Sequence, residues 1–302
     1  MTQQAAPSVR VWFLIFALAF IWGGSFLFAR IAVLEIPPLA LVLLRVAMAA
    51  FTLNAVLLFV RTGFQHSPRA WGDFAIMGVL NNIIPFLLIF IGQQEIGAGL
   101  AAIVNAMTPI WTLLIAHWST HDERLSAAKI TGIVLGFSGV ATLVGSAAFA
   151  GLEASAWAQL SVLGATISYG CAGVFGRRFA AIPPLETARG QLTMSTLLIT
   201  PLALFWDQPW SLAMPSQLAI WSTVGLAVVC TALAYILFFE ILAKAGAVIA
   251  SLVTFLIPPS AIVMGMMFLG ETLALRHLIG MALILAGLIA VDGRLWKRMT
   301  AR

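Results

Sequence analysis

Two residues that a lipid-spanning helix usually avoids stand four apart in NAMTPIWTLLIAH, residues 105–117: Asn105 and Pro109. An amide is costly in hydrocarbon, and a proline removes an N–H and frees the carbonyl about four residues before it. Positions i and i+4 share a helix face, so the amide and the opened carbonyl would point the same way. TFLIPPSAIV, residues 254–263, repeats the arrangement with Thr254 and Pro258, and Ser251 lies one turn earlier. NNIIPF, residues 81–86, adds Asn81 with Pro85 and Asn82 with Phe86, each pair on a shared face. The chemistry open to these groups is noncovalent. Opened carbonyls and amides facing a cavity can hold an ammonium or an amide. The plainer alternative is a kink sealed by a neighbouring helix, with Asn as interhelical glue. Recurrence at matching places favours a cavity.

Other polar and aromatic residues sort by depth. Trp12, Trp71, Trp118, Trp157, Trp206, Trp210 and Trp296 fall near the ends of apolar segments and read as an interfacial belt. Trp22, Trp111, Tyr169 and Tyr235 lie deeper and are candidate cavity residues. A buried Tyr hydroxyl needs a partner, so packing with a local hydrogen bond is the competing role for both tyrosines. Arg45 is the one cation deep in a segment. It is expected to snorkel or pair with a helix end; its alternative role is counter-ion to a carboxylate. Every acid maps to a segment end: Glu35, Glu95, Glu153, Asp207 and Glu271 at one side, Asp73, Asp122, Glu123, Glu186, Glu240 and Asp292 at the other. Proton coupling normally needs a titratable group at the site. His117 is the nearest candidate and sits at a segment end. The expectation is therefore facilitated diffusion without a midplane carboxylate. Cys171 and Cys230 form no metal or redox spacing and read as small buried residues.

The elements that must position these groups follow from composition. The chain has 302 residues, 62% hydrophobic and 9% charged, against about 45–50% apolar and about 25% charged in soluble domains. It is an integral membrane protein. A crossing helix needs about 20 residues. Ten segments qualify, near 11–33, 38–60, 70–92, 96–118, 126–147, 155–180, 185–206, 216–240, 246–269 and 274–292. Alternation with period two is absent, which excludes a barrel. Arg10 and the Ala-Leu-Ala at 17–19 suggest a leader, but the apolar run continues to Ala29 and reads as the first span. With the N-terminus inside, the inner side holds Arg10, Arg61, Arg69, Arg124, Lys129, Arg177, Arg178, Arg189, Lys244, Arg294, Lys297, Arg298 and Arg302. The outer side then holds only Arg30 and Arg276. Both termini are expected in the cytoplasm.

The second half repeats the first. QQEIGAGLAAIVNAMTPI (93–110) aligns with LAKAGAVIASLVTFLIPP (242–259), placing Thr254 on Asn105 and Pro258 on Pro109. EIPPLALVLLRV (35–46) aligns with AIPPLETARGQL (181–192), placing Gln191 on Arg45. ERLSAAKITGIVLGFSG (123–139) aligns with ETLALRHLIGMALILAG (271–287), placing Gly280 on Gly132 and Gly287 on Gly139. Residues 1–147 and 148–302 would each carry five spans. An odd number inverts the second copy, so two related halves can exchange inner and outer openings around a shared site. Gly132, Gly136 and Gly139, with Gly280 and Gly287, read as close helix packing. Gly23, Gly24, Gly170, Gly173 and Gly176 fit either packing or approach of a substrate.

WGGSFLFARIAVLEIPPLALVLLRVAMAA (22–50), together with GAGLAAIVNAMTPIWTLL and ERLSAAKITGIVLGFSGV between 97 and 140, resembles the EamA family of the drug/metabolite transporter superfamily. The likeness covers nearly the whole chain and is weaker at the start of the second copy. It implies ten helices and export of small metabolites, with spans 1, 3, 4, 6, 8 and 9 around a cavity and spans 5 and 10 behind. Bacterial aromatic amino-acid exporters of the YddG type are a close candidate within it.

The expected protein is thus all-α and membrane-embedded, in the bacterial inner membrane. It exports small amphipathic metabolites, amino acids including aromatic ones. The alternative is a proton-coupled exporter of a drug-like molecule or another metabolite. An intramembrane enzyme would need a nucleophile with a base, a carboxylate pair or a metal set at depth, and the deep residues supply none. A nucleotide-sugar or phosphate substrate would want several deep Lys or Arg. Expected partners are a small-molecule substrate and the lipid bilayer, with no nucleic acid and no cofactor, as a monomer or homodimer.

Overall fold

The computed structural model describes residues 8–59, 66–119, 126–144 and 154–292, all helical or in turns between helices. Arg61, Asp122, Glu123, Arg124, Glu153, Arg294, Trp296, Lys297, Arg298 and Arg302 lie outside the described residues. In chain order the helices are α1 (Val9–Val33), α2 (Pro38–Phe59), α3 (Pro68–Gly78), α4 (Ile84–Gln93), α5 (Ala98–Asn105), α6 (Thr108–Ser119), α7 (Ala127–Val144), α8 (Ala154–Phe175), α9 (Pro184–Trp206), α10 (Gln217–Val224), α11 (Ala234–Ala250), α12 (Val253–Leu269) and α13 (Leu275–Asp292). Six helical stretches are long and apolar enough to cross a membrane, and three shorter apolar helices accompany them. Large apolar side chains such as Phe13, Phe51, Phe205 and Met267 point outward, as lipid contact requires.

Four of the expected spans are interrupted. Between α3 and α4 the chain forms a π-turn, Val79–Ile83, and between α10 and α11 a longer one, Gly225–Leu233. Pro85 explains the first: with no N–H at 85, the ladder widens, and the Leu80 carbonyl accepts from Ser168 of α8 instead. The second is fixed by Thr231, whose hydroxyl donates to the Leu226 carbonyl five residues back. The third interruption, at Ala106 and Met107, separates α5 from α6 just ahead of Pro109.

The matching kink did not fall where its proline suggested. α12 runs unbroken through Pro258 and Pro259, and the break lies one turn earlier, at Ser251 and Leu252. The break expected between residues 240 and 246 falls at Gly246, whose φ of 78° only glycine adopts freely and which divides α11 into two helical pieces.

Packing is the same when the halves are exchanged. α1 lies on α12, and α8 lies on α6; α2 lies on α9, and α7 on α13. A Cβ at Gly23 would stand 2.0 Å from the Ser260 hydroxyl, and one at Gly170 would stand 3.0 Å from the Thr112 nitrogen. Both glycines therefore serve helix packing, at corresponding places. Gly173 and Gly176 instead line the central cavity.

Candidate functional site

The helices enclose a cavity of about 640 Å³. Of the residues singled out by sequence, Trp22, Asn81, Phe86, Asn105, Pro109, Tyr169, Tyr235, Thr254 and Pro258 line it. Asn82, Pro85, Trp111 and Ser251 do not. Asn82 and Pro85 are buried between helices, Trp111 packs edge-on against Phe137, and Ser251 is exposed.

Asn81 and Asn82 differ by one position and hence by about 100° on the helix, so their tasks divide. Asn81 reaches the cavity wall, donating to Gln191 Oε1 at 3.1 Å and to the Tyr235 hydroxyl at 3.2 Å. Tyr235 passes the bond on to Asn82 Oδ1 at 3.3 Å, and Asn82 donates to Ser195 at 3.0 Å. The chain of bonds ties the π-turn to α9 and α11. Here the glue role holds for Asn82. Asn82→Leu should lower stability by about 1–3 kcal/mol, because Tyr235 and Ser195 each lose a buried partner. Thermal unfolding in detergent measures this, and ligand affinity of the folded fraction should change little.

Asn105 behaves differently. The carbonyl freed by Pro109 is its own, but the Thr108 hydroxyl takes it at 2.9 Å, so the expected open carbonyl is not offered to a ligand. The side-chain Oδ1 has no hydrogen-bond partner among the described residues although it is buried. An unmet buried acceptor at a cavity wall costs free energy until a donor arrives.

Arg45 overturns the snorkelling expectation. It is 6% exposed and turns into the bundle rather than to an end. Nε donates to Thr231 at 3.0 Å and Nη2 to Ser25 at 3.2 Å; the guanidinium lies 3.7 Å from the Phe86 ring centre. α2 and α9, absent from the lining that the resemblance implied, thus contribute Arg45 and Gln191. These two align with each other in the internal repeat, a signal already present in the sequence.

The two ends of the cavity differ. At one, its wall runs out to Arg177, Phe179, Ala180 and Ile182 in the turn before α9. At the other, three carboxylates each cap the start of a helix in the opposite half. Glu271 accepts from the Ala98 and Gly99 amides at 2.6 and 3.0 Å. Asp207 accepts from the Ala40 amide at 2.7 Å. Glu35 accepts from the Ser216 amide and hydroxyl at 2.6 and 2.7 Å, and these bonds hold its carboxyl below the ordinary value of 4.5. Helix N-termini favour negative charge. Among the described residues, no loop residue of this end lines the cavity.

The sequence profile described as the EamA-like transporter family matches the chain twice, over residues 10–145 and 156–291. The "Uncharacterized transporter YoaV" of Bacillus subtilis is 24% identical over 93% of this chain and 96% of its own. The "Probable amino-acid metabolite efflux pump" of Salmonella typhimurium is 26% identical over 96% and 97%. The "Uncharacterized inner membrane transporter YedA" of Escherichia coli K12 is 24% identical over 92% and 89%. A solved crystal structure superposes with a TM-score of 0.68, covering 98% of this chain and 100% of the other at 18% identity, which shows a shared fold.

Proposed function

The chain belongs to the EamA-like transporter family, and from that premise we propose that it exports small amphipathic metabolites, amino acids including aromatic ones, by alternating access around the central cavity. It is a multi-pass transporter of the bacterial inner membrane. The reading takes ten crossing helices in two inverted five-helix halves, 1–147 and 148–302, with both termini in the cytoplasm. The internal sequence repeat, the symmetric packing and the Lys/Arg bias support this arrangement. The end bearing Arg177 is then cytoplasmic, and the carboxylate-capped end is periplasmic. In this reading the cavity, whose wall reaches Arg177, faces the cytoplasm.

The observation that carries the substrate class is the lining: aromatic rings such as Trp22, Tyr169, Phe238 and Phe239 alternate with amides and a buried cation. Such a wall suits a molecule with a charged head and an apolar body. Kinship with a relative named as an amino-acid metabolite efflux pump agrees with it. Among the described residues the cavity has no Asp or Glu, which favours uncoupled transport down a gradient.

The test is uptake of labelled phenylalanine and threonine into proteoliposomes, with and without a pH gradient. Saturable uptake of phenylalanine without a gradient is expected, weakened about tenfold in Asn105→Ala. Uptake seen only with a gradient would remove the uncoupled mechanism and direct attention to His117. Uptake of neither would remove the amino-acid assignment.

A further inference from the structure

The cavity has one charge at depth and, among the described residues, no acid that balances it. Arg45 is buried, and no acid among the described residues forms an ion pair with it. Its neighbours are hydroxyls, Thr231 and Ser25, and an aromatic face, Phe86. These groups orient the guanidinium without neutralising it. Thr231 is itself locked, since its proton goes to the Leu226 carbonyl in the π-turn. Phe86 covers one face of the guanidinium plane, so further ligands must approach its edge. Nε and Nη2 are engaged, and Nη1 makes no hydrogen bond with the described residues, while Arg45 forms part of the cavity wall. The second cation of the wall, Arg177, stands at its mouth.

A buried, unbalanced guanidinium is costly, and a bound anion relieves that cost. Guanidinium edges match a carboxylate in geometry and charge. We propose that Arg45 is the carboxylate receptor of this cavity, so that the transported molecule must carry a carboxylate, and that an amine alone is not a substrate. The inference rests on the transporter reading above. It refines that reading by making the acid group, rather than the amine, the required feature. The aligned position in the second half, Gln191, is neutral and already engaged by Asn81, so the cavity holds one such receptor and not a symmetric pair.

The experiment is equilibrium binding to the purified full chain in lipid nanodiscs, using four probes of one aromatic body. Phenylalanine carries both groups; 3-phenylpropionate keeps only the carboxylate; phenylalaninamide and phenethylamine lack it. Wild type should bind the two carboxylates at least about tenfold more tightly than the other two, the discrimination of one charge-assisted hydrogen bond. Arg45→Gln should bring the carboxylates down to the level of the amide and leave the amide unchanged, and Arg45→Lys should restore part of the difference. Equal binding of phenylalanine and phenylalaninamide by wild type would overturn the inference while leaving the amino-acid exporter standing, and needs no variant to fold. An equal loss for all four probes in Arg45→Gln would also overturn it, by making Arg45 a packing residue. Binding of none of the four would remove the amino-acid reading together with the receptor.

Discussion

Gly139→Leu is expected to abolish the tight pairing of α7 with α13 and most of the yield of folded protein. A Cβ at Gly139 would stand 2.7 Å from the Gly280 carbonyl oxygen and 3.0 Å from the Ile284 nitrogen. Gly132 meets the Gly287 carbonyl at 2.5 Å in the same way. These obstacles are backbone, so no side chain can swing aside and the helices must part. Overpacking commonly costs about 1–3 kcal/mol, and the upper end applies where backbone must move. In lipid the loss is not offset by hydrophobic collapse, because close van der Waals packing is itself what joins helices there. Thermal unfolding followed by fluorescence-detected size exclusion measures it. Gly72→Ala is the control: nothing stands within 4 Å of a Cβ there, so the melting temperature should hold. The α7–α13 pair lies outside the cavity wall. The surviving folded fraction should therefore bind ligand with unchanged affinity, and a selective loss of affinity would contradict the assignment of these glycines to packing.

Glu271→Ala should open the carboxylate-capped end. Gly270, with φ at 63°, ends α12 in a left-handed turn and directs the next residue across to the first turn of α5. The Glu271 carboxylate lies among Gly97, Gly99 and Gly265, where any added Cβ would come within 2.5 to 3.4 Å of it. Removing it leaves the Ala98 and Gly99 amides without their acceptor, at the start of the helix that ends in Asn105. Hydrogen bonds to charged groups contribute about 1.5–3 kcal/mol each. Losing even one shifts the equilibrium between closed and open ends by about tenfold or more. The readout is the rate at which a membrane-impermeant thiol reagent, added from the side of that end, labels Ala29→Cys in a background lacking Cys171 and Cys230. An unchanged rate would show that the cap does not hold this end shut. Acidification is a weaker lever. Ser216 lowers the Glu35 pKa, so that cap is fully present above the ordinary carboxylate value of 4.5 and is lost only as pH falls through the lowered one. Labelling should therefore not rise between pH 7 and pH 5 on account of Glu35.

Composition and the internal repeat determined much of this protein by themselves. Long apolar runs have one stable outcome in lipid, because a helix alone satisfies every backbone group within the segment. The internal repeat then aligned Asn105 with Thr254 and Arg45 with Gln191, and all four line the cavity. The glycine stripes were equally legible, since a GxxxG pattern has few uses besides close approach. The tertiary structure decided what depends on neighbours rather than on spacing. Pro109 comes just after a break and Pro258 sits in an unbroken helix, although the local sequences match, because breaks are settled by which partners can take the freed groups. Asn81 and Asn82 separate into wall and brace through the position of α9 and α11. Arg45 turns inward because Ser25, Thr231 and Phe86, distant in sequence, converge on it. End-of-span acids look alike in the sequence, yet Glu35, Asp207 and Glu271 close one end by capping helices of the opposite half. A cap needs a helix start within about 3 Å, and only the folded chain brings it there.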